Sequence, residues 1–174
     1  MSIIIFSHGK DSEPWGGKIT AMAEVARRHG LQVESVDYRG IDDPLARVRK
    51  LLDLCGTLSE APILVGSSMG GYVSAAASMQ VPVRAMFLLA PAFFMPGYEQ
   101  YTPVPAKCPI SIVHGWNDDI VPVDNSIRFA KLYKSELHVL DSDHRLTANI
   151  GEICDLLDHF LERLSSSSES RFEV

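Results

Sequence analysis

Two kinds of hydrophobic pattern alternate along the chain. Short apolar runs, rich in β-branched residues, are followed by longer stretches in which apolar positions recur every three or four residues. Ile3–Phe6 opens the series, and Gly17–His29 then reads as an amphipathic helix stopped by Gly30. The alternation continues with a strand at Gln32–Val36 and a helix at Leu45–Leu54. A strand at Ile63–Val65 precedes a helix of small residues at Met69–Met79. Ala85–Leu89 and Ile110–Val113 are further strands, Val123–Tyr133 a helix and Leu137–Leu140 a sixth strand. A last helix is expected from about Ala148 to Leu164. Strand–helix alternation with near-continuous apolar strands predicts an α/β protein. The expected form is a three-layer α/β/α sandwich around an open parallel sheet buried on both faces. One connection breaks the rhythm. Pro91 to Pro109 holds five prolines and several aromatics without a helical period, and reads as an irregular excursion over the sheet edge. Residues 1–164 form one predicted domain, and the serine-rich stretch 165–174 reads as a flexible tail.

Composition narrows the field. The 174 residues are 46% hydrophobic and 22% charged, which excludes disorder of the bulk, collagen-like and coiled-coil architectures. The net charge of −6, from 16 basic and 22 acidic residues, disfavours a broad nucleic-acid-binding face. Three cysteines without a CxxC spacing suit a reducing compartment. The first ten residues carry no basic leader with a long apolar core, and no window approaches a membrane span, so the expected location is cytoplasmic, with no membrane partner. Gly16-Gly17-Lys18 lacks P-loop spacing and is followed by Ile19. With no GxGxxG and no metal-ligand spacing, neither a cofactor nor a metal is expected.

In an open parallel sheet the chemistry gathers at the carboxyl ends of the strands. After the third strand comes Gly66-Ser67-Ser68-Met69-Gly70-Gly71, a G-x-S-x-G centred on Ser68. The spacing suits a tight strand-to-helix turn that projects the serine hydroxyl at a helix N-terminus. Ser67 is the off-centre alternative. After the fifth strand comes His114-Gly115-Trp116-Asn117-Asp118-Asp119, and after the sixth Asp141-Ser142-Asp143-His144. Ser68, an aspartate at 118 or 119, and His144 thus follow one another as nucleophile, acid and base. A serine needs a base to take its proton, and the imidazole needs a carboxylate to fix its tautomer. His29, His138 and His159 lie within or at the ends of elements away from that edge. His8 and His114 follow strands and precede glycine, where they are expected to shape the loops, and Asp143 is expected to be a turn residue. The backbone N–H groups of Met69 and Lys10 are the expected oxyanion donors.

With these motifs in this order, the sequence resembles the α/β-hydrolase superfamily over about residues 1–164. It is similar to the small, lidless members of the carboxylesterase and dienelactone-hydrolase type. The resemblance rests on Ser7-His8-Gly9, Asp37-Tyr38-Arg39-Gly40, Gly66–Gly71, His114-Gly115 with Asp118 and Val121-Pro122, and Asp143-His144. It implies Asp118 rather than Asp119 as the acid, and a sheet order of 2-1-3-4-5-6. Two leading strands usual in the family are missing before the His8-Gly9 turn, the short Pro91–Pro109 segment replaces the cap, and the nucleophile is serine rather than cysteine.

The expected function is hydrolysis of a small-molecule ester or thioester through an acyl-enzyme. The competing reading is a binding or scaffold protein that keeps the fold without efficient catalysis. Phe93, Phe94, Met95, Tyr98 and Tyr101, with Trp15, Trp116 and Leu146, are expected around the rim. They either line an apolar substrate pocket, with Phe94 and Trp116 as its members, or simply cover the sheet edge.

Overall fold

The computed structural model describes residues 2–96 and 102–169. Six strands form one sheet: β1 (Ile3–Ser7), β2 (Gln32–Val36), β3 (Ile63–Ser67), β4 (Ala85–Leu89), β5 (Ile110–Gly115) and β6 (Glu136–Leu140). Their order is β2-β1-β3-β4-β5-β6, and every neighbouring pair is parallel. The helices are α1 (Gly17–Arg28), α2 (Pro44–Cys55), α3 (Met69–Ser78), α4 (Val123–Tyr133) and α5 (Ile150–Glu169).

The two-residue alternation of the strands divides the core into two layers. Ile5, Leu64, Met86, Leu88 and Ile112 face one side, packing with Val48 and Leu51 of α2, Tyr72 and Val73 of α3, and Phe129 of α4. Ile4, Phe6, Val65, Phe87 and Val113 face the other, packing with Ile19 and Met22 of α1 and with Ile153, Leu157 and Phe160 of α5. Each large aliphatic side chain buried this way contributes about 1.5–3 kcal/mol. Helix ends follow local chemistry. Asp43 caps α2 by accepting from the N–H groups of Leu45 and Ala46, with Pro44 in the first turn. Gly30, at φ 74°, turns the chain out of α1.

Two expectations need correction. Burial on both faces holds for the inner strands, but β2 alternates between exposed and partly buried positions and β6 is only half-buried throughout. Both are edge strands, with a neighbour on one side only. The last helix also runs past Leu164 into the stretch expected to be a tail, with Ser166 and Ser167 donating their hydroxyls back to the carbonyls of Glu162 and Arg163.

The topology prepares a site. From β1 the chain passes through α1 to β2 at the edge, then returns through α2 to β3 on β1's other side. The helices that follow β1 and β3, α1 and α3, lie on opposite faces, so the loops after these strands diverge and leave a crevice between them.

Candidate active site

Ser68 occupies the turn between β3 and α3 with φ 55° and ψ −118°. This left-handed conformation costs a residue bearing a Cβ about 1–3 kcal/mol. The surrounding backbone enforces it. Ser68 N–H donates to Leu89 O at 2.9 Å, and Ser68 O accepts from Ala92 N–H and Gly71 N–H, each at 3.0 Å. The flanking glycines are needed for close approach. A Cβ on Gly66 would stand 2.2 Å from Gly70 O, and one on Gly70 would stand 1.9 Å from Ser7 O. The turn is thereby pressed onto the end of β1.

His144 reaches this turn from the loop after β6. Its Nε2 lies 3.0 Å from Ser68 Oγ and its Nδ1 lies 2.7 Å from Asp118 Oδ2. A carboxylate is an acceptor, so Nδ1 carries the proton and Nε2 is left to accept from the serine hydroxyl. The Asp118 side chain is fully buried. Its Oδ1 accepts from Ile120 N–H at 2.9 Å and Val121 N–H at 2.8 Å, which fixes the carboxylate in the loop after β5. Asp119 is exposed. Asp143 forms a turn, its Oδ1 accepting from the N–H groups of Arg145 and Leu146 at 3.1 Å. Of the residues singled out from sequence, the fold brings Ser68, Asp118 and His144 into one hydrogen-bonded chain.

The fully buried His114 does more than shape its loop. Its Nε2 lies 2.9 Å from Val121 O and 3.0 Å from Asp118 Oδ2, while Nδ1 lies 2.7 Å from Ser126 Oγ. Carbonyl and carboxylate can only accept, so Nε2 carries the proton and Nδ1 accepts from the serine. Burial holds this imidazole below the ordinary histidine range. Asp118 is thus braced from both sides. The sequence signal was present in the four-residue spacing of His114 and Asp118, but its meaning as a contact was not.

The loop after β1 is held just as firmly. His8 Nε2 accepts from Tyr38 N–H at 2.9 Å, so Nδ1–H donates to Gly9 O at 2.8 Å. Burial lowers the His8 pKa as well. Tyr38 and Ser7 share a side-chain hydrogen bond of 2.8 Å, and burial pushes the phenol pKa up. Arg47, only 2% exposed, donates to His8 O at 3.0 Å and Ile41 O at 2.7 Å, and its guanidinium stands 5.1 Å from the Tyr38 ring centre. Its helical slot in α2 gave no sequence sign of this role. The loop also touches the Ser68 turn, since a Cβ on Gly9 would meet Ser68 Cβ at 3.4 Å. Met69 begins α3 directly behind Ser68, and Lys10 is exposed near the start of the loop after β1.

The aromatic rim is smaller than expected. Phe93 is fully buried and stacks on Phe129 with ring centres 4.1 Å apart, and Leu146 is fully buried in the layer beneath α1 and α5. Both belong to the core, where the sheet-end loops fold inward. Phe94 is half-buried, with the Arg128 guanidinium 3.9 Å over its ring, and Met95 is partly buried. Trp15 and Trp116 are 46% and 58% exposed. Tyr98 and Tyr101 lie outside the described residues.

A parallel sheet with a positive-φ serine turn and an acid and a histidine on later strand-end loops defines a class, and sequence comparison agrees. Residues 4–164 match the alpha/beta hydrolase family, and the chain belongs to it. Among solved structures, a protein of the alpha/beta hydrolase superfamily from Xanthomonas campestris pv. campestris is 33% identical. The match covers 94% of this chain and 99% of that one, with a TM-score of 0.86. Est1E from Butyrivibrio proteoclasticus shares the fold at 18% identity, covering 95% and 88% of the two chains with a TM-score of 0.81. The mitochondrial palmitoyl-protein thioesterase ABHD10 of Bos taurus is 25% identical over 94% of this chain and 74% of its own length, and the Homo sapiens protein is 26% identical over the same shares. Among the described residues no helix is long and apolar enough to cross a membrane.

Proposed function

We propose that this protein is a serine hydrolase that cleaves a small ester or thioester through an acyl-enzyme. The observation that carries the proposal is the hydrogen-bonded chain from Ser68 through His144 to the buried Asp118. Ser68 Oγ attacks the carbonyl carbon while His144 Nε2 takes its proton. The bond to the leaving oxygen or sulfur then breaks, and His144 returns the proton to it. Water repeats the sequence on the acyl-Ser68 ester and releases the acid. Asp118 keeps His144 in the required tautomer and stabilises its cation.

In the same reading Met69 N–H and Lys10 N–H receive the oxyanion. Supporting Lys10, the Gly9 carbonyl is held by His8 Nδ1–H, and in a trans peptide the next N–H points the opposite way. Phe94 and Trp116 flank the acyl or alcohol portion of the substrate. The thioesterase named among the relatives brings thioesters into the assay beside esters. The same reading keeps the cytoplasm as the expected location, while the ABHD10 relatives are named as mitochondrial.

A fluorophosphonate probe and short p-nitrophenyl esters test this. The wild-type protein should be labelled and active. Ser68→Ala should lose labelling and reduce kcat by roughly 10⁴-fold or more. Persistent labelling of the variant removes Ser68 from the role. Absence of both labelling and hydrolysis in the wild type favours a binding protein.

A further inference from the structure

The first turn of α1 carries a lysine that the triad chemistry does not use. Lys18 Nζ donates to Ser67 Oγ at 3.3 Å, and Ser67 immediately precedes Ser68. The side chain is half-buried. Among the described residues Lys18 forms no ion pair, whereas Arg27, Arg39 and Arg163 pair with Glu24, Asp37 and Glu136. A lysine normally extends its ammonium into water, and a cation withdrawn from water is costly without a partner. Burial brings the Lys18 pKa down to about 8, with Asp143 raising it and Arg145 lowering it. Asp143 already uses Oδ1 on its own turn. The His144 loop thus brings both a negative charge, Asp143, and a weaker positive influence, Arg145, towards Lys18, without closing an ion pair on it among the described residues.

The position relative to the reaction is defined by the sheet. Side chains alternate along β3, so Ser67 shares the α1/α5 face with Val65. The loop that carries His144 leads into α5 and buries Leu146 in that same layer. The leaving group must depart towards His144 Nε2, which protonates it. Lys18 thus stands on the leaving-group side of Ser68.

We propose that Lys18 is a specificity-determining residue whose ammonium pairs with an anionic group, a carboxylate or a phosphate, carried by the alcohol or thiol that leaves during acylation of Ser68. This rests on the serine-hydrolase reading and narrows its substrate class. Lys18 transfers no proton: the proton passes from Ser68 through His144 to the leaving atom, and the lysine supplies only a charge-assisted contact.

The test compares 4-acetoxybenzoate, 4-acetoxyphenyl phosphate and the neutral methyl 4-acetoxybenzoate in wild type, Lys18→Met and Lys18→Arg. The wild type should prefer an anionic ester to the neutral one. Lys18→Met should reduce the anionic-to-neutral ratio of kcat/KM roughly tenfold or more, and Lys18→Arg should restore part of it. Dividing the wild-type ratio by the Lys18→Met ratio cancels the intrinsic reactivity of each ester and any general loss of active protein. Which anion is favoured distinguishes a carboxylate from a phosphate source. An equal ratio in wild type and Lys18→Met overturns the proposal. Should Lys18→Met fail to fold, inhibition of the wild type decides: 4-hydroxybenzoate must compete better than its methyl ester, and equal competition overturns the proposal. A wild-type protein that is unlabelled by fluorophosphonate and inert to all three esters sinks the hydrolase reading itself. Labelling and hydrolysis without anion preference sinks this inference alone.

Discussion

Both ring nitrogens of His114 are engaged beside the Ser68–His144–Asp118 chain, by Ser126 on one side and by Val121 and Asp118 on the other. It touches no reacting atom, so it is a positioning residue. Replacing it with Gln should lower kcat by roughly tenfold to a hundredfold with little change in KM, from loss of a hydrogen bond to a charged group. Steady-state kinetics separate this from a binding defect, which would move KM instead. The same residue links stability to pH. His8 and His114 are both buried neutral, with native pKa values lowered by desolvation. In the unfolded chain they take up protons near about pH 6.5, before the native state does. Their contribution to stability is therefore present above that pH and is lost as pH falls through the lower native values. The urea midpoint should drop between about pH 7 and about pH 5, and His114→Gln should drop less steeply. Equal slopes would mean that His114 does not titrate in this window.

At the scale of elements, the Ser68 turn forms where β1, β3 and α3 approach more closely than a side chain permits. Gly70→Ala would force a methyl to 1.9 Å from Ser7 O, a backbone atom at the carboxyl end of β1. The expected cost is roughly 3 kcal/mol, together with loss of fluorophosphonate labelling as Ser68 shifts. Gly151→Ala in α5 is the control. Nothing lies within 4 Å of the added Cβ, and the substitution should be neutral or stabilise by up to about 1 kcal/mol. Denaturant titration and labelling of both variants check this contrast. The elements themselves were legible from the sequence because their signals are local. The three-to-four-residue period of Ile19, Met22, Ala23 and Ala26 and the strand repeat of Ile63–Val65 need no partner to be recognised. The end of α5 was harder to read, because serines favour turns and caps, yet the helix runs on through Ser166 and Ser167, whose hydroxyls turn back onto the carbonyls of Glu162 and Arg163.

For the whole molecule, the sheet separates two ends with different properties. The reactive chain lies at the carboxyl ends of the strands. A cleft of about 800 Å³ lies at the amino ends, with His29, Arg84, Lys107 and Leu164 in its walls. Strands of five or six residues hold these ends roughly 15–20 Å apart. Reversing the charge of the exposed Lys107 with Lys107→Glu should leave kcat/KM for a neutral ester within about twofold of wild type. A larger change in that assay would reveal coupling through the sheet.

Strand–helix alternation, the G-x-S-x-G centred on Ser68 and a histidine after the last strand were determined by the sequence alone, because each is a pattern within a few neighbouring residues. Tertiary packing decided the rest. It selected Asp118 over its neighbour Asp119 for contact with His144, and drew His114 and Arg47 in as supports for loops distant in sequence. It buried Phe93 and Leu146, and set Lys18 beside Ser67. These outcomes depend on angles and distances between loops at the end of a packed sheet. A side chain's type shows what it can bond to, but only the fold determines which groups come within about 3 Å of it.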